Sequence, residues 1–378
     1  MASRMKSTGV AIVGVGSTAI ARNADRGLGA IATEAALAAI ADADLKRDDI
    51  DGYVGCPSAP NVSALHVDGV DEVSSTYMTA ALGLKNPSWV MDVEGMTTGM
   101  VVAAAHALAC GACNYVVAVR ALYNPRDRKY SHASADFAVG ADQFTLPYGI
   151  GPGGGRFAQW LQRYMHDTGA TREDLHEIAN IGRKHAQLNP LAVWKGKGEL
   201  TREEYLGARW ICEPMCLYDS DMPVTAAGAL VLTTAERAKD LPHRPAHLLS
   251  YSNASNPRKV FEATGIKPSD IDVAQIYDGY APMVWNWLGK LGFCDPDEAH
   301  RFARGSRITF GGELPLNTFG GALGEGRLHG MGHVREAALQ AMGRAGDRQI
   351  SGARYSLVQV GVPERSWILL LGSEATQA

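Results

Sequence analysis

The sequence lacks a long apolar run, a cluster of basic residues and a dense set of cysteines. The apolar run at residues 10–15 is too short for a membrane span or for the core of a signal peptide. The net charge is -4 and Lys and Arg form no long run, which argues against nucleic acid as a partner. Residues 1–8 are short and polar, so we expect a cytoplasmic protein without a membrane span.

The cysteines are few and scattered along 378 residues: Cys56, Cys110, Cys113, Cys212, Cys216 and Cys294. This distribution in a large chain predicts reduced thiols rather than a disulfide framework. Cys110 and Cys113 form a lone CxxC pair without the second half of a zinc ribbon. We interpret them as buried, inert residues at a helix end, and we predict no metal and no organic cofactor.

Short apolar strands alternate with helices along the first third of the chain. Apolar runs at 10–15, 52–55, 89–93 and 115–119 predict strands, and the patterns at 27–43 and 98–109 predict helices. Alternation of this kind predicts a largely parallel sheet that is covered on both faces. Gly14 and Gly16 follow the first strand, but a third glycine is missing at the required place, which excludes a dinucleotide-binding fingerprint.

The middle of the chain has a different character. Residues 122–155 are rich in Gly, Pro, Asp and Tyr and predict irregular structure, whereas 157–168 and 172–188 predict helices. Thr201 is the predicted N-cap of a short helix, with Glu204 at its third position. We interpret the stretch from about 122 to 222 as an insertion that covers a site. Its glycine-rich part, 151–155, precedes a helix and either cradles a phosphate or forms a simple turn.

The second half of the sequence echoes the first. LKRDDID at 45–51 is matched by IKPSDID at 266–272, and the strand at 115–119 is matched at 355–360. A duplicated α/β unit is the simplest explanation. We therefore predict two halves, 1–235 and 236–378, packed as five layers (αβαβα) with a site between them.

A duplicated chain of this length resembles the thiolase superfamily. The look-alikes are the sterol-carrier-protein-x type thiolases and the lipid-transfer-protein aldolases of steroid side-chain breakdown. The resemblance covers nearly the whole chain, and its specific motifs are RYMH at 163–166, HAQLNP at 185–190, ARWI at 208–211 and YDS at 218–220.

The resemblance also locates four positions of the thiolase active site, here called stations. Each of them has a different residue in this chain. Met96 stands where the nucleophilic cysteine opens a helix, and a thioether cannot form the acyl-enzyme. Tyr277 occupies the position of the histidine in the His-Asp-Cys-Phe motif of the sterol-carrier type thiolases. Arg327 occupies the position of the histidine in the Gly-His-Pro motif, which activates the cysteine. The stretch ending at Gly361 lacks the last cysteine. The steroid side-chain aldolases also lack the nucleophile and carry a tyrosine at the station of Tyr277, but a second tyrosine where this chain has Arg327.

These changes imply an aldolase-type lyase. Retro-aldol cleavage of a β-hydroxyacyl-CoA needs a base and a stabiliser for the thioester enolate, but no covalent nucleophile. The hypothesis makes Tyr277 the base, although a core tyrosine with a satisfied hydroxyl would also fit its position. Arg327 lowers the pKa of that tyrosine, donates to the enolate, binds a CoA phosphate or pairs with Glu325.

Other residues have secondary roles in this hypothesis. His329 or His333 relays a proton; their helical metal-ligand spacing lacks a third ligand, so a zinc site is not predicted. Backbone N–H groups around Met96 and Gly361 are candidate oxyanion donors. The Met96 side chain is expected to fill the pocket floor, and Tyr280 to pack more than to react.

The resemblance implies a hydrophobic hydroxyacyl-CoA substrate with a steroid or aromatic side chain. It also implies a homodimer and a small zinc-ribbon/OB-fold partner, together a heterotetramer. Two alternatives stay open: a thiolase-like acyltransferase that uses Cys56 or Cys294, and a non-catalytic subunit that binds lipid or acyl-CoA.

Overall fold

The computed structural model describes residues 8–23, 25–57, 67–94, 96–124, 138–150 and 154–375. The strands are β1 Val10–Ser17, β2 Gly52–Gly55, β3 Trp89–Asp92, β4 Tyr115–Leu122, β5 Trp210–Cys212, β6 Met215–Cys216, β7 Ala226–Thr234, β8 Ala246–Asn253, β9 Val273–Ile276, β10 Tyr355–Val362 and β11 Arg365–Gly372. The helices are α1 Leu28–Asp42, α2 Ser75–Ala81, α3 Thr97–Ala109, α4 Gly154–Thr168, α5 Arg172–Ala186, α6 Arg202–Leu206, α7 Lys259–Glu262, α8 Pro282–Leu291, α9 Ala299–Phe302, α10 Gly321–Glu325 and α11 Met331–Met342.

One sheet contains every strand except the β5–β6 hairpin, in the order β3-β2-β4-β7-β1-β8-β11-β10-β9. Strands β1 and β8 pair antiparallel at its centre. Read outward from there, each half has the same plan: β1-β7-β4-β2-β3 on one side, and β8-β11-β10-β9 with a parallel bridge from Ala274 to Leu316 on the other. The predicted duplication is therefore visible in the strand order.

The predicted strands are confirmed, but the prediction of a largely parallel sheet is wrong. Strand β2 pairs in parallel with β3 and β4, and β9 with β10, while the remaining neighbours in the sheet are antiparallel. The last strand of each half, β7 or β11, runs back between the first strand and the others. Apolar runs report that a strand is buried and carry no information on its direction.

The sequence motif shared by the two halves makes the same hydrogen bonds to the backbone in each half. The Asp51 carboxylate accepts hydrogen bonds from the backbone N–H groups of Asn114 and Tyr115, at 2.8 and 2.9 Å. The Asp272 carboxylate accepts from Arg354 and Tyr355, both at 2.8 Å. In each half the aspartate thus fixes the start of the strand that pairs in parallel with the second strand of that half, β4 beside β2 and β10 beside β9.

The predicted five-layer arrangement is also observed. Helix α1 packs on the outer face of β1, β4 and β7, where Gly16 of β1 lies so close to the backbone of Ala35 that no side chain would fit. Helices α3 and α11 contact each other and strands of both halves, so they form the shared middle layer. Helix α8 covers the second half, where the Trp287 indole N–H donates to the Gly361 carbonyl at 3.3 Å.

The segment between β4 and β7 contains the two predicted helices and packs onto the second half. Helix α4 begins at Gly154, and α5 ends at Ala186 and lies against α10. Thr201 caps α6 as predicted, accepting from the Glu204 N–H at 3.1 Å. Gly151 and Gly153 of the candidate phosphate turn lie outside the described residues. The division of the chain at 235/236 stays a prediction.

The six cysteines are thiols and not disulfides, as expected, although their surroundings differ from the prediction at one position. Cys113 is buried, but Cys110 is exposed because α3 ends at Ala109 and Cys110 begins the turn that follows. Among the helices of the described residues, none combines the length and apolarity needed to cross a bilayer.

Candidate functional site

Backbone contacts bring the four predicted stations together. At the start of α3, the Thr97 hydroxyl donates to the His329 carbonyl at 3.0 Å. The Tyr277 N–H donates to the Gln359 carbonyl at 3.0 Å, which joins the second station to the fourth. The end of the covering segment completes the set, because the Arg327 N–H donates to the Met222 carbonyl at 2.9 Å. The site therefore contains parts of both halves and of the insertion.

Five charged or polar side chains meet there, and each is at most 5% exposed. Strand β4 supplies one, the end of the covering segment a second, the turn after β9 a third, and the loop between α10 and α11 the other two. We call them the buried polar cluster: Arg120, Asp221, Tyr277, Arg327 and His329. Three of its members, Tyr277, Arg327 and His329, are the residues that the sequence proposed as catalytic.

Tyr277 is held to Asp221 from two directions. Its hydroxyl donates to the Asp221 carboxylate, and the Asp221 N–H donates to the carbonyl of Gly279 at 3.1 Å. Burial raises the pKa of Asp221 to about 7; nearby Asp278 adds to this rise, while Arg327 and the Tyr277 hydrogen bond oppose it. The pair thus joins a phenol to a carboxyl group that changes charge near neutral pH.

His329 lies between the two arginines of the cluster. Its Nδ1 is 2.7 Å from Nη2 of Arg120, and Arg120 also donates to the carbonyl of Cys56. Burial lowers the pKa of His329 well below its ordinary value, and the charges of Arg327 and Arg120 lower it further. The residue has a positive φ of 46°, which turns the chain sharply just before α11 begins.

His333 has a different partner from His329. It lies in the first turn of α11, with its Nε2 3.0 Å from Oδ1 of Asp278. The same carboxylate accepts from the backbone N–H groups of Ala322 and Leu323, at 2.7 and 3.3 Å, at the start of α10. His333 therefore holds a structural aspartate, and its ring also packs against that of Tyr277, with centroids 5.4 Å apart.

The helical spacing of the two histidines does not describe their geometry. His329 precedes α11, so the two residues do not share a helix face. Within the ranges that the structure describes, no group of three or more His, Cys, Asp or Glu side chains is arranged to hold a metal ion.

The remaining predicted residues surround the cluster. Tyr280 stacks on Phe157 of α4, with ring centroids 4.8 Å apart, and burial raises its pKa to about 12. Met96 is the N-cap residue of α3 and packs, partly buried, against the main core. Gly361 has a φ of +124°, and its carbonyl accepts from Trp287 and from the Gln359 side chain, at 3.3 and 2.9 Å.

Arg120 and Asp221 were not predicted from the sequence. Arg120 was visible as a single charge inside the apolar strand YVVAVRAL, and a fully buried arginine needs partners. Asp221 follows the YDS motif directly but was not singled out. Glu325, offered as a partner for Arg327, is bonded instead by Arg335 and by Asn189, the latter at 2.8 Å.

The two candidate cysteine nucleophiles differ in position. Cys56 is buried beside the cluster, because its carbonyl accepts from Arg120. Cys294 lies after α8, and burial raises the pKa of its thiol to about 12, helped by Asp295 and Glu298. A thiol with so high a pKa is a poor nucleophile at neutral pH, so Cys56 is the better-placed alternative.

Replacing Asp278 by alanine should destabilise the fold by about 2–4 kcal/mol, because three buried donors lose their acceptor. Urea unfolding followed by circular dichroism measures the change. Asp295→Ala is the matched control: this exposed aspartate caps a single turn through the Asp297 N–H at 3.1 Å and should contribute about 1 kcal/mol. Equal urea midpoints for Asp278→Ala and the unaltered protein would rule out the anchoring role.

Comparison with known proteins finds relatives over nearly the whole chain. A family described as "Thiolase C-terminal domain-like" matches residues 239–365. The steroid side-chain-cleaving aldolase of Thermomonospora curvata is 33% identical, and the match covers 96% of this chain and 98% of the relative. The 17-hydroxy-3-oxo-4-pregnene-20-carboxyl-CoA lyase of Mycobacterium tuberculosis is 31% identical, over 97% of this chain and 100% of the relative.

Solved structures give the same result. A structure named the Ltp2-ChsH2(DUF35) aldolase matches with a TM-score of 0.85 and 32% identity, over 97% of this chain and 98% of that one. Human mitochondrial 3-ketoacyl-CoA thiolase matches at 0.67 with 13% identity, over 99% of this chain and 100% of that one, which supports the fold alone. The chain therefore belongs to the thiolase superfamily, in the subgroup of the steroid side-chain-cleaving aldolases, and is a carbon–carbon lyase of that type.

Proposed function

We propose that the protein cleaves a hydrophobic β-hydroxyacyl-CoA by a retro-aldol reaction. One observation carries this proposal: Tyr277, bonded to Asp221, lies in one buried cluster with Arg327 and His329. That cluster adjoins the start of α3. The family resemblance puts Met96 of this helix start at the position of the thiolase nucleophile. An acid–base site that lacks the nucleophile suits a reaction without an acyl-enzyme.

The reaction balances without an oxidant, a reductant or a cofactor. The β-hydroxyl loses its proton, the bond between the α and β carbons breaks, and a carbonyl forms at the β carbon. The bonding electron pair passes to the thioester as an enolate, and the α carbon then takes up one proton. The products are a ketone or aldehyde and a shorter acyl-CoA, and CoA enters only as part of the substrate.

Tyr277 accepts the substrate proton while giving up its own. A phenol with a pKa of about 10 is a poor base at neutral pH unless its proton leaves in the same step. The Asp221 carboxylate already accepts a hydrogen bond from the hydroxyl and is positioned to take that proton. Asp221 acts through Tyr277 in this scheme, and Arg327 stabilises its ionised form.

Arg327 serves the reacting atoms rather than a CoA phosphate in this proposal. It is 4% exposed and faces Asp221, whereas the phosphates of CoA are bulky, strongly hydrated groups. Its charge favours the developing enolate, and N–H groups near Met96 and Gly361 are further donors. Tyr280 and the Met96 side chain form walls beside these groups, and His333 keeps Asp278 in place.

Product analysis tests the reaction class. The purified protein is incubated with a β-hydroxyacyl-CoA bearing a steroid side chain and, separately, with an aromatic one. Chromatography with mass spectrometry should show equal amounts of ketone or aldehyde and of shortened acyl-CoA. The two relatives are named for steroid substrates, which is why the steroid thioester is the first choice.

The control variant for this assay is Cys56→Ser, which removes the better-placed thiol. The lyase proposal expects turnover to continue and no acyl group to be found on a cysteine. An acyl-Cys56 adduct, with turnover lost in the variant, would favour an acyltransferase. If no substrate is cleaved even when a partner protein is supplied, the non-catalytic binding subunit becomes the better interpretation.

The assembly that we propose is a homodimer with small zinc-ribbon/OB-fold partners, forming a heterotetramer in the cytoplasm. Strand β3 is an edge strand whose Val90 and Met91 are 41% and 44% exposed, and an apolar edge of this kind favours pairing with a second copy. The name of the solved Ltp2-ChsH2(DUF35) relative contains two components, which supports a partner here.

A further inference from the structure

The contact between Arg120 and His329 fixes the protonation state of the histidine. A guanidinium group has only N–H donors and keeps its charge in proteins. Because Nη2 of Arg120 lies 2.7 Å from Nδ1 of His329, that nitrogen must be the acceptor and carry no proton. The His329 ring is then neutral, with its proton on Nε2.

The surroundings oppose any second proton on this ring. Both side chains are buried, Arg120 at 0% and His329 at 3% exposure. Protonation would place a third positive charge beside the two arginines and would break the bond at Nδ1. The titratable or charged groups near the ring come from five parts of the chain: Arg120 of β4, Cys56 after β2, Arg327 of the same loop, Tyr277 after β9 and Asp221 at the end of the covering segment.

The orientation of His329 is fixed at two points. Its carbonyl accepts from the Thr97 hydroxyl at the first turn of α3, beside Met96. Its Nδ1 is occupied by Arg120, so Nε2–H is the ring's remaining hydrogen-bonding group. A proton relay needs a ring nitrogen that can accept a proton, and the nitrogen with a lone pair is already engaged.

We propose that Arg120 is a positioning residue that keeps His329 as a neutral donor, and that His329 Nε2–H donates to the thioester oxygen as it becomes the enolate oxygen. This inference rests on the proposed lyase function and gives His329 a role other than the predicted relay. A neutral imidazole suits this task, because it stabilises the oxyanion without passing it a proton.

Two variants of His329 separate a donor from a structural ring. Glutamine places an amide N–H close to the position of Nε2, whereas leucine fills the space without a donor. We expect His329→Leu to lower kcat by about 10²–10³-fold, as loss of one oxyanion donor does, with little change in KM. His329→Gln should recover most of that loss. If glutamine is no better than leucine, His329 is not the donor.

The tautomer can be measured without any turnover. In protein labelled with ¹⁵N-histidine, and with the His329 signals assigned by comparison with His329→Gln, we expect a protonated Nε2 and an unprotonated Nδ1 at every pH at which the protein stays folded. An ordinary titration near the usual histidine pKa of about 6.5 would overturn the inference. This readout is independent of activity, so its failure can be told apart from failure of the lyase proposal.

Arg120→Met tests the positioning role through the pH dependence of kcat. Methionine fills much of the space but cannot donate, so Nδ1 becomes free to accept a proton. The unaltered protein already loses activity below about pH 7 as Asp221 is protonated. In Arg120→Met we expect protonation of His329, with an ordinary histidine pKa of about 6.5, to make this limb steeper, from a slope of about one to about two in log kcat against pH. Arg120→Met combined with His329→Gln should return to the single slope, and equal slopes in the two variants would show that His329 is not the group that Arg120 controls.

Discussion

Replacing Tyr277 by phenylalanine is expected to lower kcat for cleavage by about 10²–10⁴-fold, the range for loss of a general base. The reason is that the β-hydroxyl proton loses its path to Asp221, while the ring and the packing against His333 are retained. KM should change little, because the lost hydroxyl acts mainly as the bond breaks. Steady-state kinetics with the substrate identified by product analysis measures both quantities.

Tyr164→Phe is the matched control for this prediction. The Tyr164 hydroxyl is also partly buried and bonded, to the Pro296 carbonyl at 3.2 Å and beside His300 at 3.1 Å, but it lies outside the buried polar cluster. Its loss should affect stability and leave kcat close to that of the unaltered protein. Unchanged turnover in Tyr277→Phe would show that Tyr277 is not the base.

Asp221→Asn should remove both most of the activity and one limb of the pH profile. The pKa of Asp221 is raised from its ordinary value to about 7 by burial, with Asp278 nearby and Arg327 and Tyr277 opposing. The carboxylate form, which can take the Tyr277 proton, therefore predominates only above that pH. In the unaltered protein kcat should rise with pH through about 7, and in Asp221→Asn this rise should be absent.

Asp219→Asn is the control, two residues earlier in the same segment. Its carboxylate is buried and bonded to the Tyr205 hydroxyl and the Cys216 N–H, both at 2.7 Å. We expect that variant to be less stable while keeping the rise of kcat with pH. The double variant Tyr277→Phe/Asp221→Asn should be no slower than the slower single variant, because both remove one proton path. Additive losses, or a pH limb that persists in Asp221→Asn, would contradict the path.

Much of the fold could be predicted from the sequence because each half repeats local signals. The aspartates Asp51 and Asp272 end the same short motif and accept from the N–H of the first residue of the strand that pairs in parallel with the strand after them. Strand direction could not be predicted in this way. Strand β4 is followed by the covering segment before β7 returns antiparallel beside it, and a burial pattern looks alike in both directions.

The site was predictable where a family motif marked it and unpredictable where tertiary contacts made it. Tyr277, Arg327 and His329 lie in or beside motif positions. Arg120 has its partners His329 and Cys56 far away in the sequence, so its role depends on packing across the two halves. The different roles of His329 and His333 depend on where α11 begins, at Met331, and the spacing of four residues suggested one shared face instead.

The pairing of β1 with β8 limits how the two halves can move around the buried polar cluster. Val10, Ala11 and Ile12 lie opposite Leu248, His247 and Ala246, so backbone hydrogen bonds join the two halves across the middle of the molecule. A hinge between the halves would break that ladder and expose its apolar residues to water. The ladder therefore holds the two halves together as one body, whereas the cover, where Tyr280 stacks on Phe157, is a wall of the site that this ladder does not fix.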